Sequence, residues 1–65
     1  MSKQPYKRIQ SLSKQAIRHI EEAMFLLTEA ERFAVSNDID FGTSAIVASL
    51  KDLKRDIETQ LRKIR

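Results

Sequence analysis

Ser36-Asn37-Asp38-Ile39-Asp40-Phe41-Gly42-Thr43-Ser44 is the one place in this 65-residue chain where helix-breaking residues gather. Gly, Asn, Asp, Ser and Thr crowded between two periodic segments mark a loop. On both sides of it apolar residues recur at helical spacing, so the stretch divides the chain into two helices. Asn37 suits the left-handed conformation that closes a helix. Asp38, Asp40, Thr43 and Ser44 are each able to cap the next one. The resulting organisation is a single helical-hairpin domain over 1–65: a frayed tail at 1–4, helix one at about 5–36, a loop at about 37–42 and helix two at about 43–65.

Upstream, at about 100° per residue, Ile9, Leu12, Ala16, Ile20, Ala23, Leu27, Ala30 and Ala34 share one side of helix one. Ile17 and Met24 widen that side in one direction, Leu26 and Phe33 in the other. Read as heptads, one column is Ser13, Ile20, Leu27, Ala34 and the other is Ile9, Ala16, Ala23, Ala30. Pro5 fits the first turn, where its missing N–H costs nothing. Downstream, Ile46, Leu50, Leu53, Ile57, Leu61 and Ile64 step by fours and threes, a narrow coiled-coil seam.

A short connection makes the two helices antiparallel neighbours. The alanine column of helix one is expected to receive the large aliphatic seam of helix two, small against large. Helix one nevertheless carries apolar residues over about half its circumference, more than one neighbour covers. Sixty-five residues form a marginal core, and the chain has no Cys for disulfides or thiolate metal sites and only one His. The expected fold is therefore all-α: an antiparallel two-helix hairpin that associates with itself as a homodimer or higher oligomer, most simply a four-helix bundle. Ile17, Ile20, Met24, Leu27, Leu50, Leu53, Ile57 and Leu61 are its candidate oligomer core.

Net charge is +3, unevenly spread. Residues 1–20 hold only bases, residues 21–40 are acidic apart from Arg32, and residues 41–65 are again mostly basic. Folding the hairpin puts bases at the open end and acids near the loop. Phe25 projects from the polar side of helix one, away from the apolar face. Lys7, Lys14, Arg18 and Arg32 share that side, and an aromatic among cations is the composition of a base-stacking platform with phosphate contacts. Burial against another subunit or a protein partner is the reading favoured for the same Phe, and a lone exposed Phe with no role is the third.

Little here suggests catalysis. His19 and Glu22 lie one turn apart, but their order reverses the Glu-x-x-His of helical metal sites, and helix two has no acid on its seam. Gly42 stands alone, so no phosphate-cradling loop is present. The expectation is a non-enzymatic protein with no cofactor and no metal site. It acts as a protein-interaction or structural module that binds itself and possibly another protein. The alternative is a small nucleic-acid-binding regulator, of RNA or DNA, using the basic column around Phe25. The longest apolar run, Ala23 to Leu27, is far too short to span a membrane. No membrane association and a cytoplasmic location follow as expectations.

Overall fold

The computed structural model describes residues 5–64, so the expected frayed tail at 1–4 and Arg65 lie outside the described residues. It is an all-helical hairpin: α1 is Pro5–Ser36 and α2 is Ser44–Lys63, and the two pack against each other. No helix among the described residues is long and apolar enough to cross a membrane.

The backbone of the loop explains where α1 stops. The Ile39 N–H donates to the Ala34 carbonyl at 2.8 Å and the Asp38 N–H to the Val35 carbonyl at 3.1 Å. These two bonds form the Schellman closure, which needs a left-handed residue just past the helix. That residue is Asp38, with φ 61°, and not the Asn37 expected from sequence. The difference has a chemical basis. Asn37 uses its side-chain amide to donate to the Phe33 carbonyl at 2.9 Å, a second bond to an oxygen that also takes the Asn37 N–H at 3.2 Å. An aspartate carboxylate has no donor for that task, while its short side chain tolerates the left-handed region.

Of the four candidate caps, Thr43 takes the position before α2, and its carbonyl accepts the first bond of the helix from Val47 N–H at 2.8 Å. Its side chain does not cap its own helix. The hydroxyl and the backbone N–H of Thr43 both donate to one carboxylate oxygen, Glu31 Oε1, at 2.6 and 2.9 Å. A capping box normally brings the glutamate from the third residue of the same helix. Here it comes from α1 and ties the two helices at the loop. At the other end α2 finishes at Lys63, with Ile64 in extended backbone, a little ahead of the chain end expected from periodicity. Arg62 and Lys63 in its last turn suit the negative pole of the helix.

A second tie lies about three turns from the first. Lys54 Nζ meets Glu21 Oε2 at 2.8 Å, a contact that draws the ammonium pKa above its ordinary value, first by the hydrogen bond and then by the charge of Glu21. Together the two ties fix the register. They leave the first two turns of α1 extending past the end of α2.

Among the described residues only Ala34 and Thr43 are buried, at 6% and 1% exposure. The contact between the helices follows Ser13, Ile17, Ile20, Met24, Leu27 and Glu31 on α1 and Val47, Leu50, Lys54, Ile57, Glu58 and Leu61 on α2, all half-buried, with Gln10, Ala16, Ala23 and Glu29 half-buried beside them. On α1 the contact positions, continued by Ala34, step alternately by four and three, a heptad seam in its own right. The expected pairing of the alanine column with α2 is met only at the edge of this seam: Ala16 and Ala23 are half-buried like Ile17 and Met24, while Ile9 and Ala30 are exposed. α2 lies over the other half of the broad apolar side, where Ile17, Met24 and Leu27 offer more surface to cover than alanines do.

Candidate functional site

Beside the seam, α1 carries a second row: Ile9, Leu12, Ala16, His19, Ala23, Leu26, Ala30 and Phe33. Its steps also alternate three and four, so it forms one stripe along the helix. Leu12, Leu26 and Phe33 are all at least half exposed, with Phe33 at 71%. Along α2, Ile46 and Leu53 are exposed and Ile64 half-buried, the row being interrupted by exposed Gln60, while Leu50 and Ile57, half-buried, are shared with the seam.

Helix handedness decides where these stripes point. Each precedes its own seam by about a quarter turn. In antiparallel right-handed helices, positions displaced in the same sense from the seam emerge on the same side, as like positions do in antiparallel coiled coils. The two stripes therefore merge into one apolar face. The reverse side obeys the same rule: Thr28, Arg32 and Val35 of α1 and Val47, Ala48 and Lys51 of α2, displaced in the opposite sense, line a single shallow groove. The hairpin thus has an apolar face and a mixed back, where Thr28, Arg32 and Lys51 stand beside Val35, Val47 and Ala48.

Of the eight residues expected in an oligomer core, Ile17, Ile20, Met24, Leu27, Leu50, Ile57 and Leu61 line the seam between the chain's own helices, half-buried. Leu53 alone sits out on the open face, at 51% exposure. Leu12, Leu26 and Phe33 belong to the apolar side read from sequence, and His19 joins them in one column on the open face. The seven-residue spacing of that column was the available signal for His19.

The basic column separates into parts. Lys7, Lys14 and Arg18 line one shallow depression on α1 together with Gln10, Ser11 and Gln15. Phe25, 62% exposed, is not among them. The residues one turn from it are Glu21, Glu22, Thr28 and Glu29, and Glu29 holds Arg32 at 3.4 Å. A helical wheel superimposes residues that share an angle and hides the axial rise that separates Arg18 from Phe25 by roughly 10 Å.

His19 is exposed on the open face and borders a dip lined by Gln15, Arg18 and Glu22. Among the described residues no three of His, Asp and Glu are grouped to hold a metal ion. The most perturbed carboxyl near the loop is Glu31, held below the ordinary glutamate range by the Thr43 hydroxyl first and the Thr43 N–H second. Both donors are committed to a structural tie, so the shift reflects folding and not a poised acid. No family model, no curated protein and no solved structure matches this chain.

Proposed function

We propose that this chain is a non-enzymatic protein-interaction or structural module, a homo-oligomer whose apolar face is covered by another hairpin in a four-helix bundle. One observation carries the reading: Ile9, Leu12, Leu26 and Phe33 of α1 and Ile46 and Leu53 of α2 are exposed along one side of the hairpin. Apolar surface left in water forgoes roughly 25 cal/mol per Å², and a hairpin in which only two of the described residues are buried has little else to hold it together. Contiguous exposed apolar surface of this kind is the usual mark of a protein contact. The back, by contrast, offers shallow grooves with no converging nucleophile, base and orienting group.

Sedimentation equilibrium on the full chain is the direct test. A mass of twice 7.5 kDa or a higher multiple is expected, and a folded species at the mass of a single hairpin sinks the reading.

A second reading, nucleic-acid binding, rests on the Lys7, Lys14 and Arg18 depression, which contains no acid. Phosphate contacts at three cations give an observed affinity that falls with salt, with a log–log slope of about −2 to −3. Absence of any RNA or DNA retardation at low salt removes this reading.

A further inference from the structure

Resting on the self-association proposed above, we infer that the apolar face takes a second copy of this chain placed head to tail, α1 on α1 and α2 on α2. The two-fold axis crosses α1 at Glu21 and α2 near Arg55.

The first ground is size. The open row of α1 runs from Ile9 to Phe33, and its midpoint is residue 21. Pairing two such rows antiparallel about that midpoint sets Leu12 against Ala30 of the second copy and Ala16 against its Leu26. His19 meets Ala23, and Ile9 meets Phe33. Three of the four distinct layers join a large side chain to an alanine, the alternation that lets backbones approach closely without leaving voids. His19, the polar member of the row, then lies within a turn of Glu22 of the second copy, so its imidazole has a hydrogen-bonding partner at hand.

The second ground is independent of the first. The stripe of α2 runs from Ile46 to Ile64, with midpoint residue 55. The 2.8 Å Glu21–Lys54 ion pair puts residues 21 and 54 at one level of the hairpin. The midpoints of the two stripes therefore coincide to within about one residue, and one two-fold axis serves both. On α2 it sets Ile46 against Ile64 of the second copy, Leu50 against Gln60 and Leu53 against Ile57, with Leu50 and Ile57 reaching the contact from the edge of the seam.

Charge selects this arrangement over its rival. Stacking the hairpins head to head would superpose the two open ends, each bearing Lys7, Arg8, Arg62 and Lys63. Head to tail, the basic half of each α1 lies over the half that bears Glu22, Glu29 and Glu31. Opposed signs across a contact fix orientation even where they add little affinity. The face is also large enough. The hairpin measures 58 by 16 Å, a footprint above the roughly 800 Å² per partner of a standard interface.

The chain has no cysteine, so Ser11→Cys and Ser36→Cys each carry a single nitroxide label on an exposed position. Pulsed electron-spin distances on each dimer read the arrangement. Head-to-tail stacking separates the Ser11 labels by about 30 Å along the bundle and the Ser36 labels by about 45 Å, at roughly 1.5 Å per residue. A dimeric mass with both distances long supports the inference. A dimeric mass with either pair at one level, closer than about 20 Å, overturns the head-to-tail placement and leaves self-association standing. A monomeric mass overturns both.

Discussion

At the scale of single residues the loop concentrates the decisions. Asp38 sits at φ 61°, a region that costs a residue with a Cβ about 1–2 kcal/mol. It also places a carboxylate at the negative pole of α1, whose last turn has no base to offset it. Asp38→Gly removes both penalties, against which stands the larger entropy of glycine in the unfolded chain. The expected net gain is up to about 1 kcal/mol, read as a higher urea midpoint at fixed protein concentration. A loss on Asp38→Gly would show that the aspartate side chain is used in the loop. Glu31 supplies the second case. Its folded pKa is depressed by the Thr43 hydroxyl and N–H, so the carboxylate contributes stability that is fully present above the unfolded value of about 4.3 and lost as pH falls through the lowered folded value. Glu31→Gln keeps the shape and removes the titration. The stability difference between wild type and Glu31→Gln is expected to be flat from pH 7 to about 5 and to shrink below about 4.3. A difference that does not change in acid would place the Thr43 tie elsewhere in the energetics.

At the scale of elements, each helix carries two stripes with different duties, and single substitutions separate them. Ile20→Ala cuts into the seam between α1 and α2 and is expected to destabilise the fold by about 2 kcal/mol, the low end for a buried aliphatic because the site is only half-buried. Leu26→Ser lies on the open face and is expected to raise the dissociation constant of the assembly at least tenfold, which corresponds to about 1.4 kcal/mol. Circular dichroism at high concentration checks the first and sedimentation the second. Exchange of these two phenotypes would mean that α2 lies over the alanine half of α1 after all. This division marks the limit of what the sequence makes legible. The ends of the helices and the hairpin follow from a breaker cluster between two periodic runs, because local propensity and periodicity are properties of the chain itself. Which half of a broad apolar side meets α2 is not local: Ile17, Met24 and Ala16, Ala23 are equally apolar, and the choice follows from how much area each half covers. Phe25 shows the same limit along the axis, since an angle shared with Arg18 says nothing about the two turns of carboxylates around it. The Glu31–Thr43 tie was illegible for a third reason: it joins residues of different elements through a register that only the packed hairpin defines.

At the scale of the molecule, the hairpin is a single layer, 58 by 16 by 8 Å between Cα positions, and one layer has no interior. A domain needs at least two packed layers to enclose a core. On the proposed reading the second layer is another hairpin, folding and association are coupled, and stability depends on protein concentration. A hundredfold dilution weakens a dimer by about 2.7 kcal/mol. With an unfolding entropy of about 2.1 cal/mol/K per residue over both chains, the melting temperature is expected to fall by about 10 °C across that range. Leu26→Asp sharpens the same measurement. It sets a carboxylate in the middle of the apolar face, where ionised groups are not accommodated without a partner. The variant is expected to run at the mass of one chain, to lose helical signal at 25 °C and to melt at a temperature independent of concentration. Wild type with a concentration-independent melting temperature and full helicity at micromolar dilution would mean that one layer suffices. The apolar face would then have to be explained by something other than the stability of the fold.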